Sequence, residues 1–141
     1  HYDRARHCTL CAGSFRSVII PDGADYIIKT GANGVGSRQC RREFRNYNMA
    51  VRAGVADSFA TIYGYFCYHN HVFYVMEKLA DVGAGDDDFL DLDDCTEEVA
   101  NFIDDNCIND THYGNYGFRN GQPVLCDYAG WDMGSETIER W

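Results

Sequence analysis

Apolar and polar positions change rhythm several times along this chain, and each change marks an expected element. Between residues 8 and 30 the apolar residues come in short runs, ending in Val18-Ile19-Ile20 and Tyr26-Ile27-Ile28, with Gly13 and Asp22-Gly23 between them. Short β-branched runs bounded by turn residues predict a twisted antiparallel pair leading to a third strand, which ends in Lys29. After Ser37 the spacing becomes helical. Cys40, Phe44, Tyr47 and Val51 fall on one face, Ser37 is placed to cap the helix, and Gly54 to stop it after Ala53. Glu43 borders that face, three residues after Cys40 and four before Tyr47. From Thr61 to Glu77, Tyr, Phe and Val crowd around His69-Asn70, the pattern of a second hairpin. With the first three strands it makes a five-stranded antiparallel sheet.

The rest of the chain alternates in the same way. Asp94-Cys95-Thr96-Glu97 fits a capping box, and Val99, Phe102, Ile103 and Cys107 form the buried stripe of the helix behind it. Tyr116-Gly117-Phe118 and Pro123-Val124-Leu125-Cys126 flank Asn120-Gly121, a strong signal for a tight hairpin turn. That hairpin would return Asp127 to the end of the strand pair where Asn115 begins it. Strand runs and helical runs in this order predict an α+β fold.

Composition narrows what the fold can serve. A chain of 141 residues, 45% hydrophobic and 24% charged, supports one compact domain rather than two. Its formal net charge of -10 disfavours nucleic acid and anionic membranes, both of which need clustered Lys and Arg. No apolar run approaches the roughly 18 residues of a membrane span, and the expected location is the cytoplasm. A nucleotide is compatible with this charge, because a local lysine and a metal override the overall field. Seven cysteines at scattered spacings read as reduced thiols rather than a disulfide framework. His7, Cys8 and Cys11 suggest zinc, but no second Cys-x-x-Cys completes the set. Gly31 to Gly36 fits neither a dinucleotide fingerprint nor a P-loop and reads as a flexible connection. The acidic stretch from Gly83 to Asp94 lacks the ligand alternation of a calcium loop and reads as a solvated linker.

The richest chemistry lies in Asn109-Asp110-Thr111-His112-Tyr113-Gly114-Asn115, followed by Asp127-Tyr128-Ala129-Gly130. Asp110 is suited to accept a proton from an attacking hydroxyl, and Asn115 and Asp127 offer the hard oxygen ligands that Mg²⁺ prefers.

A glycine turn at Gly13, a strand lysine at Lys29, a helix glutamate at Glu43, Asp110 and Asn115 in one loop, and Asp127 beyond it stand in this order. In that order the chain resembles the protein-kinase-like superfamily. The Asp-x-His-x-x-Asn form of the loop is similar to aminoglycoside-phosphotransferase-like kinases and to small bacteriophage Ser/Thr protein kinases. The resemblance covers about residues 8 to 130. It implies a single reduced kinase-like domain. Its N-lobe of about residues 8–80 carries a five-stranded sheet and one helix, a linker spans about 81–94, and a truncated, mostly helical C-lobe spans about 95–141. It further implies an Mg-ATP-dependent phosphotransferase, acting on Ser or Thr of host proteins. In that reading Lys29, held by Glu43, grips the phosphates, and Gly13, Ser14, Phe15 and Val18 cover them. The backbone from Glu77 to Leu79 meets the adenine edge, with Met76 at the back of the pocket. Asp110 is the catalytic carboxylate, His112 steadies the transferring phosphoryl group, and Asn115 and Asp127 bind Mg²⁺.

The departures from the pattern keep other functions open. Cys11 and Arg16 stand where the family usually has glycine, and Arg16 would either clash with the phosphates or assist them. Ile108-Asn109 replaces the usual His-Arg, and Tyr128-Ala129 the usual Phe-Gly. Only fourteen residues follow Asp127, too few for the helices that dock a protein substrate, so either a second copy of the chain would complete the C-lobe or the substrate would dock on the N-lobe. One alternative is a pseudokinase-like acidic module that sequesters a host protein. Another is a small-molecule phosphotransferase.

Overall fold

The computed structural model describes residues 2–3, 8–12, 16–31, 34–69, 71–80, 82, 95–108 and 115–129. Six strands form one antiparallel sheet: β1 (Tyr2–Asp3), β2 (Cys8–Ala12), β3 (Arg16–Pro21), β4 (Tyr26–Gly31), β5 (Ile62–Tyr68) and β6 (His71–Glu77). Their order is β1-β2-β3-β4-β6-β5, which puts β4 and β6 side by side near the centre. Helix α1 (Gly34–Ala53) and a 3₁₀ turn (Ala56–Ser58) connect β4 to β5. Helix α2 (Glu97–Asp105) and a separate hairpin, β7 (Tyr116–Arg119) with β8 (Gln122–Leu125), follow. The α+β expectation holds, but the sheet has six strands rather than the expected five, because Tyr2–Asp3 pairs along the edge of Cys8–Ala12.

Register decides which side chains share a face. Val18 pairs with Lys29, Lys29 with Tyr74, and Tyr74 with Tyr65, so one row crosses four strands. Side chains along a strand alternate between faces, so Arg16 and Ile27 share the face of this row. Helix α1 packs against it: Phe44 stacks on Tyr65 at 4.3 Å between ring centroids. Beneath, Phe59 joins the two halves of the sequence, meeting Phe102 of α2 and Tyr128 edge-on at 5.5 and 5.1 Å. Cys40, Val72, Met76, Ile103, Ile108 and Leu125 complete that core.

Several expectations about the elements need correction. α1 starts at Gly34, three residues before Ser37, whose hydroxyl donates to the Gly31 carbonyl at 3.0 Å instead of capping the helix. Gly34 to Gly36 are therefore helix rather than connection, and they pass so close to β4 that a Cβ on Gly31 would lie 2.3 Å from the Gly36 carbonyl carbon. The buried face of α1 runs through Cys40, Glu43, Asn46 and Ala50, and Val51 is exposed. Cys40, Phe44 and Tyr47 of the expected face do pack on the core, but its centre lies toward Glu43 and Asn46, polar residues that hydrophobic periodicity does not count and that are satisfied inside the core. Thr96 caps α2, its hydroxyl accepting from Val99 N at 3.3 Å, and Asp94 of the expected capping box lies outside the described residues. Val99, Phe102 and Ile103 are buried as expected, but Cys107 follows the helix in a left-handed conformation and is exposed. Among the described residues after the linker, one nine-residue helix faces two four-residue strands, so this part is not mostly helical.

The β7–β8 hairpin turns at Asn120 and Gly121, both with positive φ, and the Asn115 carbonyl accepts from Cys126 N at 2.9 Å and Asp127 N at 3.2 Å. Gly117 in β7 lies so near the segment after β6 that a Cβ would sit 2.8 Å from Leu79 Cβ. Close approach here seats the hairpin under Leu79 and Val82. No helix among the described residues is long and apolar enough to cross a membrane.

Candidate functional site

Lys29 and Glu43 sit at the centre of the molecule, where a strand row meets the helix. Lys29 Nζ donates to Glu43 Oε1 at 2.8 Å, and the two residues are 5% and 0% exposed. Charges this deep persist only when paired and hydrogen-bonded. Glu43 is fully satisfied: Oε1 also accepts from Tyr74 Oη at 2.5 Å, and Oε2 accepts from the backbone N–H of Tyr128 at 2.6 Å. Lys29 also donates to the Cys126 carbonyl, and its ammonium lies 5.9 Å from the centroid of the Tyr74 ring. Asn46, one turn along α1 from Glu43, donates to the Tyr128 carbonyl at 2.8 Å. The helix thus holds the Asp127–Tyr128 segment by two side chains.

Arg16, at the start of β3, is the second cation of the cluster. Its guanidinium donates to Asp127 Oδ1 and, at 2.9 Å, to Tyr74 Oη, and it stands 3.5 Å from Glu43 Oε1. Two cations therefore face two carboxylates. Burial works against the Arg16 charge, but Glu43, Tyr74 and Asp127 outweigh it and raise its pKa well above the ordinary arginine value. Burial likewise opposes ionisation of Asp127, yet the charges of Lys29 and Arg16 hold its carboxyl below the usual range. Burial, reinforced by the Glu43 charge, pushes the Tyr74 hydroxyl well up, so Tyr74 remains a neutral donor. Burial raises the Cys126 thiol to about 11, which leaves it un-ionised and inert at neutral pH.

Beside this cluster opens a cleft of about 370 Å³, within the size range of small-molecule sites. Val18, Ile20 and Ile27 form its sheet wall, Leu79 and Val82 the opposite wall, and Lys29 and Asp127 its charged end. Of the expected nucleotide residues, Val18, Lys29, Glu77 and Leu79 line it. Met76, the register partner of Ile27, shares the face of the sheet wall and is fully buried in the core. Gly13, Ser14 and Phe15, and Asp110 and His112 of the expected catalytic loop, lie outside the described residues, as do His7 and the acidic stretch 83–94. Asn115 is buried at the base of the hairpin, beside the Asp127 backbone.

Glu77 has a further task, carried by its side chain. Its carboxylate accepts two hydrogen bonds from Arg119, at 2.8 and 2.6 Å, and a third from Thr61 N at 3.1 Å. The N–H groups of Glu77 and Lys78 are also engaged, by the Thr61 and Asp25 carbonyls at 2.8 and 3.1 Å. Glu77 clamps the hairpin to the sheet. The Arg119 hydrogen bonds, helped by the Thr61 N–H and opposed by burial, hold its carboxyl below the usual range.

Magnesium, the cofactor implied by the resemblance, takes one or two carboxylates together with waters and nucleotide phosphates. Of the two residues expected to hold it, Asn115 is buried at the base of the hairpin, and Asp127 has its Oδ1 already held by Arg16, so a cation of the chain itself meets that charge.

Sequence reasoning missed Asn46, Tyr74, Tyr128 and Arg119. Tyr74 carried one usable signal: it faces Lys29 across the strand pair once β4 and β6 are aligned. No family model and no curated protein matches this chain.

Proposed function

We propose that this chain is a protein-kinase-like domain that binds ATP in the cleft beside Lys29. It transfers the terminal phosphoryl group to a Ser or Thr hydroxyl of a host protein. The observation that supports the reading is the buried Lys29–Glu43 pair, which links β4 to α1 at the charged end of an apolar slot. Phosphoryl transfer relies on positioning and charge neutralisation, and a lysine fixed by a helix glutamate supplies both. The adenine lies between Val18 and Leu79, where the slot is apolar. Its phosphates run toward Lys29, and Asp110 orients the acceptor hydroxyl.

The Arg16–Asp127 contact favours a second reading, a nucleotide-binding pseudokinase that holds a protein partner without phosphorylating it. One experiment separates the two. The protein is incubated with labelled ATP, alone and with a host-cell extract, beside Asp110→Asn. The kinase reading expects label on protein, and a fall of about 10²–10⁴-fold in the variant. Nucleotide binding with no transferred label selects the pseudokinase. Undiminished transfer by Asp110→Asn removes Asp110 from the reaction.

A further inference from the structure

We propose that Arg16 is the resident counter-cation of Asp127, so that the cleft takes its nucleotide without a divalent metal. The inference deepens the nucleotide-binding reading and rests on it. The place of the guanidinium carries the argument. Arg16 is anchored on three sides by Asp127 Oδ1, Tyr74 Oη and Glu43 Oε1, and its side chain is only 12% exposed. It is a built part of the core's edge rather than a surface arginine lying across an acid.

A carboxylate whose charge is already met by a buried guanidinium draws a divalent ion far less strongly. Arginine stays charged at any working pH, so it does not yield by losing a proton. A metal at Asp127 would set a dication beside Arg16, which Glu43 and Tyr74 hold in place and which cannot leave without losing half of its counter-charge. Arg16 also supplies only N–H donors, which no metal can use as ligands. Lys29 cannot relieve it, because its ammonium is committed to Glu43 and the Cys126 carbonyl. Arg16 shares the sheet face of Val18, two residues on in the cleft wall, so its charge borders the path of the phosphates. The cation that a metal would bring is already present in covalent form.

The test is ATP affinity by calorimetry, in EDTA and in excess Mg²⁺, for the unaltered protein and for Arg16→Gln. The proposal expects equal affinity in the two buffers for the unaltered protein. In Arg16→Gln it expects binding at least about tenfold tighter with Mg²⁺ than with EDTA, because Asp127 is then released. Binding by the unaltered protein that needs Mg²⁺ overturns the proposal, and that comparison requires no variant to fold. A second arm uses Mn²⁺ alone, detected by electron paramagnetic resonance. Arg16→Gln should gain one Mn²⁺ site that the double variant Arg16→Gln/Asp127→Asn lacks. Such a site in the unaltered protein overturns the role of Arg16. If ATP binds under neither condition, the nucleotide reading fails and metal-free nucleotide binding fails with it. The Mn²⁺ arm then still decides whether Arg16 fills the cation position.

Discussion

Glu43 and Glu77 each bind a basic side chain from a distant part of the chain, yet they do different work. Glu77 meets Arg119 through a two-pronged contact near the surface, with side chains 15% and 31% exposed. Two further Arg119 N–H groups end on the Asp57 and Phe59 carbonyls, at 2.7 and 3.3 Å. That unit is closed: it ties hairpin, 3₁₀ turn and sheet together and uses up its own charges. Glu43 is fully buried and satisfied by four groups, but the cations it holds reach past it, Lys29 to the Cys126 carbonyl and Arg16 to Asp127. That unit is open toward a cleft. A closed pair serves the fold, whereas buried charge whose partners extend to a cavity wall is placed to meet a ligand.

The largest test of this contrast removes each carboxylate. Glu43→Ala leaves Lys29 and Arg16 buried with half of their counter-charge. It should cost about 3–5 kcal/mol in urea denaturation. Glu77→Ala breaks a partly exposed pair that solvent already screens, and should cost about 1 kcal/mol. Equal losses would abolish the distinction between the two sites.

A smaller effect sharpens the Glu77 side. Its carboxyl is held below the usual glutamate range, so the pair adds stability above the unfolded pKa of about 4.3. That contribution disappears as pH falls through the lower folded value. Glu77→Gln should lose less stability than the unaltered protein on acidification from about pH 5 to 3. Parallel acid limbs for the two proteins would show that the pair carries no linked proton.

Smallest in energy, but site-specific, is the chemistry of the thiols. Cys67 and Cys107 are exposed and should react with a thiol reagent at once. Cys126, buried beside Lys29 with its pKa pushed up to about 11, should react only when the protein opens. Rapid labelling of Cys126 at neutral pH would mean that the charged end of the cleft is not closed as described.

Much of this arrangement was legible in the sequence, in parts where the signal is local. The Asp22-Gly23 and Asn120-Gly121 turns, the helix ending at Gly54 and the Lys29–Glu43 contact all follow from turn chemistry, periodicity and motif order. The polar half of the α1 face was not legible. Glu43 and Asn46 are buried because Tyr74 and Tyr128, 31 and 82 residues away, satisfy them, and spacing within a helix carries no trace of that. The role of Arg16 depends on a partner 111 residues distant, and that of Arg119 on one 42 residues away. Long-range polar pairing is written in the fold rather than in any window of the chain.

The central claim, that the open cluster is the charged end of a nucleotide site, is tested most directly by ATP-induced stabilisation. Melting is followed with and without ATP for the unaltered protein and for Lys29→Ala, and each protein is compared with its own ligand-free state. At ATP near 100 times its dissociation constant the unaltered protein should gain about 2.7 kcal/mol, and Lys29→Ala should gain clearly less at the same ATP concentration. An identical gain in both proteins would place the nucleotide away from Lys29 and contradict the account.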